Sequence, residues 1–162
     1  MLLGLPAVAA ARCVAAYASF GTEPATDTIV RRLTDAGTRV LLPVLCDDLD
    51  LDWAESAGSV VLVARRAGSP LREPAGPLLG ADAIAAADVV IVPALAVDRQ
   101  GVRLGRGGGS YDRALRRTRT GAPLVALVYD GEVVDRLPVE AHDVRVDAAV
   151  TPSGVHRLRV RR

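Results

Sequence analysis

Apolar runs of strand length alternate with helix-like segments along the chain. VAAYASF (14–20) and TRVLLPVL (38–45) read as strands. ADVVIVPALAV (87–97) and PLVALVYD (123–130) are continuous enough to be strands buried on both faces. DLDLDW (48–53) alternates and predicts a short edge strand, SVVLVARR (59–66) is a further apolar segment, and VDAAVTP (146–152) a last short strand. Between them, TDTIVRRLTDAG (26–37) sets Ile29, Val30 and Leu33 on one helical stripe, with Thr26 or Asp27 to cap it and Gly37 to end it. Short helices are predicted over 80–87 and 110–118. AGSPLREPAGPLLG (67–80), rich in Pro and Gly, predicts a loop.

Buried strands alternating with helices specify an α/β fold: three layers, a mostly parallel (mixed) sheet flanked by helices, Rossmann-like. One domain is expected over 1–155, followed by a basic tail, HRLRVRR (156–162). In such sheets ligands bind beyond the carboxyl ends of the strands. GTEP after the first strand, PALAVD with the following glycine loop, and YDGE (129–132) after the 123–130 strand are all expected near that edge.

Composition narrows the picture. A chain of 162 residues, 50% hydrophobic but only 3% aromatic, builds an aliphatic core. Its net charge of +1 gives no general attraction to nucleic acid or acidic membranes. All cationic side chains are arginine. Cys13 and Cys46 are in no metal-binding spacing and read as two reduced thiols of a cytoplasmic protein. MLLGLPAVAAARC lacks the leading positive charge of a signal peptide, and Pro6 and Arg12 interrupt its apolar run.

The stretch GVRLGRGGGSYDRALRRT (101–118) carries the chemistry. Glycines before a helix leave backbone N–H groups free to face an anion. Gly105, Gly107, Gly108 and Gly109 suit such a nest, and Arg103 and Arg106 can add charge-assisted contacts. A Walker A loop is excluded because it needs lysine. The dinucleotide fingerprint fits only in part: Ser110 stands where the last glycine belongs, and DRQGVRL separates Val97 from Gly105. Asp130 could imitate a ribose-binding acid, so a nicotinamide-dependent oxidoreductase is a weak rival. Asp112 would sit beside bound phosphates, where a Mg²⁺ ion would relieve the repulsion. It equally suits the first turn of a helix.

PALAVDRQGVRLGRGGGSYDRAL resembles the signature of the 5-formyltetrahydrofolate cyclo-ligase (5,10-methenyltetrahydrofolate synthetase) family. YASFGTEPATD, VLLPVL, the LREP loop and PVEAHDVRVDAAVTPSGV are also similar to that family, so the resemblance covers residues 14–155. It implies an enzyme that uses Mg²⁺ and ATP to convert 5-formyltetrahydrofolate to 5,10-methenyltetrahydrofolate, releasing ADP and phosphate through a phosphorylated formyl intermediate. By the same resemblance, Arg103, Gly105, Arg106, Gly107, Gly108, Gly109, Ser110 and Tyr111 hold ATP. Ala18, Glu23, Arg106, Gly107, Gly108, Gly109 and Ser110 contact the folate, with Glu23 on the pterin. Arg106 and Tyr111 act in catalysis, and Asp112 and Asp143 bind Mg²⁺. A monomer without nucleic-acid or membrane partners is implied.

Two departures from the pattern stand out. Ser110 replaces the first tyrosine of a Tyr-Tyr-Asp-Arg run, and its hydroxyl could instead cap the helix. Met1 falls near the end of an N-terminal helix whose basic residues grip ATP phosphates in the family, and the tail arginines (157, 159, 161, 162) are candidates to substitute for them. These departures motivate a rival reading, a catalytically weak relative that binds folate or nucleotide without turnover. Trp53 is expected to pack a sheet edge, although the resemblance puts its segment beside the folate; His142 is expected to serve a surface or capping role, with contact to the metal site beside Asp143 as the alternative; and Asp98 is expected to cap a turn or orient the glycine loop.

Overall fold

A computed structural model describes residues 1–56, 62–64 and 72–158. Its main sheet has seven strands: β1 (Cys13–Ala15), β2 (Arg39–Leu45), β3 (Leu51–Glu55), β6 (Val89–Pro93), β9 (Leu124–Leu127), β11 (Ala148–Val150) and β12 (Val155–Arg157), in the order β12-β11-β9-β6-β1-β2-β3. The inner five are parallel, while β3 and β12 close the two edges antiparallel. β4 (Leu62–Ala64) and β5 (Arg72–Pro74) form a small antiparallel pair. β7 (Ala96–Asp98) pairs with β8 (Arg103–Leu104) and β10 (Val133–Val134) in a three-stranded sheet.

The continuous apolar runs follow from burial of both sheet faces. Ala15, Leu41, Val90, Val92 and Ala126 point into one core. Their neighbours Val14, Val40, Leu42, Val89, Ile91 and Val125 point into the other. Helix α2 (Asp27–Asp35) covers the second face with Val30 and Leu33, joined by Leu2 and by Val8 of the short N-terminal helix α1 (Pro6–Ala9). Trp53 is fully buried in the first core, as edge packing requires.

Several elements differ from expectation. The 87–97 run is two strands, because Pro93 cannot donate to a ladder and the chain leaves the main sheet there to build the β7–β8 hairpin. The first strand stops at Ala15 because the chain bends into a turn. The Thr26 hydroxyl donates to the Tyr17 carbonyl (2.6 Å) and accepts from Ser19 N–H (3.0 Å), while Ser19 Oγ accepts from Thr26 N–H (3.0 Å). Thr26 is the N-cap of α2, yet its hydroxyl serves this turn and not the helix. The LREP stretch, expected as loop, contributes β5. Of the segment expected over 59–66, β4 is described and the rest lies outside the described residues, as does 67–71. The first residues of the basic tail form β12, whereas Arg159, Arg161 and Arg162 lie outside the described residues. Cys13 and Cys46 are both free. Among the described residues no helix is long and apolar enough to cross a membrane.

Candidate active site

The carboxyl ends of β1, β2 and β6 open onto a cleft of about 560 Å³. The residues that the resemblance assigns to ATP, folate and metal border it: Ala18 and Glu23 from the turn after β1, residues 103–112 from the β8–α3 segment, and Asp143 from the loop before β11; Arg157 of the tail, a candidate for the ATP phosphates, does not. YDGE does not border it. Asp130 instead accepts a hydrogen bond from Ser153 N–H at 3.2 Å, which deprives the nicotinamide reading of its acid.

The glycine loop is delivered by the β7–β8 hairpin. Asp98, buried at the hairpin turn, accepts from Gln100 N–H and Val102 N–H (both 2.9 Å) and from Leu137 N–H (3.1 Å). It thus caps the turn and braces the strand that carries Arg103 into the cleft. Gly107 and Gly109 have φ of +89° and +65°, which side chains rarely adopt. Helix α3 (Ser110–Leu115) starts directly after, with Gly109 and not Ser110 as N-cap and no side-chain capping bond. The expectation that the Ser110 hydroxyl caps this helix is therefore corrected: Ser110 is already its first residue. At six residues α3 is short, so the loop's capacity for anions rests on its own backbone and on arginine.

Arg103 and Asp112 form a buried ion pair, Nη2 to Oδ1 at 2.7 Å, with side chains 5% and 14% exposed. The same Oδ1 accepts from Val144 N–H at 3.1 Å, which links α3 to the loop bearing Asp143. Burial pulls the Arg103 guanidinium below its ordinary value, and Asp112 and Asp143 oppose that shift. Its Nε is buried without a hydrogen-bond partner among the described residues. Across the cleft, Glu23 is nearly buried and accepts from Phe20 N–H at 3.1 Å. Arg106 approaches Glu23 Oε1 at 3.4 Å and lies over the Phe20 ring, 4.6 Å from its centroid. The glycine loop and the GTEP turn therefore meet through one charged contact and one cation–π contact. Burial pushes the Tyr111 phenol well above its ordinary value, with further contributions from Tyr17 and Glu23, so it is neutral and cannot act as a base.

The family model described as the 5-formyltetrahydrofolate cyclo-ligase family matches residues 1–152. The chain belongs to this family. It is 45% identical over 154 residues to 5-formyltetrahydrofolate cyclo-ligase of Mycolicibacterium smegmatis, covering 91% of this chain and 78% of the relative. It is 35% identical over 162 residues to 5-formyltetrahydrofolate cyclo-ligase of Escherichia coli K12, covering 95% and 85%. Among solved structures, 5,10-methenyltetrahydrofolate synthetase of Aquifex aeolicus superposes with a TM-score of 0.79 at 29% identity, covering 99% of this chain and 79% of that one.

Among the further residues bordering the cyclo-ligase cleft are Tyr17, Phe20 and Glu140, which sequence reasoning did not place there, and His142, which it offered only as a neighbour of the metal site. Tyr17 follows β1 and is 3% exposed, with a hydroxyl that has no hydrogen-bond partner among the described residues. Phe20 supplies the platform under Arg106. His142 borders the cleft with its Nδ1 3.4 Å from Glu140 and its Nε2 3.8 Å from Asp143. Tyr17 and Phe20 lie inside the YASFGTEP motif, so that stretch held a signal. His142 and Glu140 had none beyond their proximity to Asp143.

Proposed function

We infer that the chain catalyses the reaction its family is named for: closure of 5-formyltetrahydrofolate to 5,10-methenyltetrahydrofolate, coupled to conversion of ATP to ADP and phosphate. One observation carries this reading. A glycine loop able to hold phosphates and an acid able to hold a pterin face each other across a single cleft, close enough for Arg106 to touch Glu23.

The reaction needs the formyl oxygen placed against the terminal phosphate, and a second folate nitrogen placed to close the ring and expel phosphate. In this reading Gly105, Gly107, Gly108 and Gly109 present N–H groups to the phosphates, with Ser110 beside them. Arg103 and Arg106 supply fixed positive charge where negative charge builds up on the transferring group. Glu23 accepts paired hydrogen bonds from pterin N–H groups, and Ala18 leaves room beside it for the ring. Arg106, now on Glu23, exchanges this contact for the phosphate and formyl oxygens. Tyr111, held neutral by its burial, orients oxygen atoms by hydrogen bonding. No strong base is required.

The donor set also fits Mg²⁺, which binds through one or two carboxylates plus phosphate oxygens. Both described bonds to Asp112 fall on Oδ1, so Oδ2 is available, and Asp143 borders the same cleft. When bound, Mg²⁺ would neutralise charge on the phosphates. The ligands would be Asp112 and Asp143, and we place the enzyme in the cytoplasm as a monomer.

The test mixes the 162-residue chain with 5-formyltetrahydrofolate and Mg-ATP and follows the absorbance of the methenyl product. A rise that requires both ATP and Mg²⁺ is expected. Saturable binding of both ligands with no product would overturn the catalytic reading in favour of a binding-only relative.

A further inference from the structure

Arg113 follows Asp112 on α3 and lies outside the cleft lining, on the outer side of the glycine loop. Its Nη2 donates to two carbonyls, Gly108 O at 3.1 Å and Leu49 O at 2.6 Å. These acceptors belong to different parts of the cleft wall. Gly108 is in the glycine loop, and Leu49 is in the turn between β2 and β3; both border the cleft. We propose that Arg113 is a positioning residue that sets the phosphate-binding shape of the glycine loop from behind and fastens the 46–50 turn to it. The proposal rests on the reading of that loop as the nucleotide site.

Three observations carry it. The first is peptide geometry. In a trans peptide the C=O of one residue and the N–H of the next point in opposite directions, and no described peptide bond is cis. With Gly108 O held on the guanidinium, the Gly109 N–H must point away from it. Arg113 thereby fixes the direction of a donor in the nest. The second is Gly109 itself. A Cβ there would sit 3.1 Å from Arg113 Nη1, so the guanidinium fits against the loop because this residue is glycine. The third is Leu49, whose φ of +66° makes it the one non-glycine residue in the left-handed region among the described residues. A leucine adopts that backbone against its preference. The turn is held by Cys46 N–H to Asp50 O (2.9 Å) and Leu49 N–H to Cys46 O (3.1 Å). It is also held by Arg113 of α3 on the Leu49 carbonyl and by Arg117, in the turn after that helix, in a paired contact with the Asp50 carboxylate (2.9 and 2.5 Å). Two arginines, one on α3 and one just past its end, therefore grip one turn. Without Arg113, the glycine loop and the apolar lip at Leu49 would lose their common anchor.

The test compares Arg113→Ala and Arg113→Lys with the unaltered chain. ADP binding is measured by titration calorimetry, KM for ATP and for 5-formyltetrahydrofolate by turnover, and melting by circular dichroism. For Arg113→Ala, ADP affinity and KM for ATP are expected to worsen about tenfold, the scale of one charge-assisted hydrogen bond. The KM for 5-formyltetrahydrofolate should rise about threefold and kcat should change less than KM. Arg113→Lys should recover most of the loss, because an ammonium also donates to carbonyls. The exposed side chain should leave melting nearly unchanged. If the unaltered chain binds ADP and Arg113→Ala binds it within twofold, the positioning role is refuted while the phosphate-site reading stands. If the unaltered chain binds no ADP, that reading falls and the proposal falls with it. A kcat loss with unchanged KM, or a melting loss that Arg113→Lys shares, would also overturn it.

Discussion

Removing the Asp112 carboxylate should destabilise the protein as well as inactivate it, and the two effects are separable. Asp112 is the principal anionic partner of a guanidinium that is 5% exposed, at 2.7 Å, and it also accepts from Val144 N–H. In Asp112→Ala, Arg103 keeps its charge, because arginine does not deprotonate in proteins, but it loses that partner. Breaking a buried pair from one side costs about 3–5 kcal/mol. Asp112 is 14% exposed, so the low end of that range, about 3 kcal/mol, applies here. For a domain of this size that corresponds to a melting drop of about 6–12 °C. Replacing both partners with apolar side chains is often close to neutral. The double variant Arg103→Met, Asp112→Leu should therefore lie nearer the unaltered protein than Asp112→Ala does. Urea unfolding of the two single variants and the double, read at equal m-values, gives the coupling, expected at about 1–3 kcal/mol. Asp112→Ala within about 0.5 kcal/mol of the unaltered chain, or strict additivity, would refute the reasoning. The practical consequence concerns function. Asp112→Asn keeps an acceptor for Val144 N–H while removing the charge, so it is the cleaner probe of the proposed metal site. It should raise the Mg²⁺ concentration needed for turnover.

Other perturbations test separate parts of the structure. Tyr17→Phe removes a buried hydroxyl that has no partner among the described residues, so stability to urea should hold or rise by up to about 1 kcal/mol; a clear loss would mean the hydroxyl is bonded. Glu23→Gln should raise KM for 5-formyltetrahydrofolate about tenfold or more, the scale of hydrogen bonds to a charged acceptor, and leave KM for ATP nearly unchanged. An equal rise in both would dissociate Glu23 from the pterin. Asp88 accepts from Cys13 and Arg12 N–H groups and pairs with Arg119, and the two backbone bonds hold its carboxyl below the ordinary 3.8. Its contribution is therefore complete above pH 3.8 and disappears as the pH falls through the lower folded value. Asp88→Asn should flatten that acid loss, as measured by urea midpoints across the range.

What the sequence made legible was whatever depends on runs and local capacity. The parallel core was readable because strands buried on both faces must be continuously apolar, and the α2 stripe because its period matches one helical face. The glycine loop was readable because backbone freedom is written in glycine. What stayed hidden depends on groups that meet across long stretches of chain. Arg106 reaches Glu23 over 83 residues, Arg113 reaches Leu49 over 64, and Val144 reaches Asp112 over 32. None of these pairings has a local signature. The same holds for the splitting of the 87–97 run, since Pro93 marks a place where pairing can stop but not where the chain goes next. These hidden links are single polar contacts between loops, whereas the sheet is held by many apolar contacts on two faces. Loss of one link is therefore expected to alter the shape of the cleft with little change to the sheet beneath it. The buried Arg103–Asp112 pair is the exception, because there one contact serves both the cleft and the fold. That difference is why exposed Arg113 and buried Arg103, ten residues apart on one loop and its helix, should give opposite results when stability and ligand affinity are measured side by side.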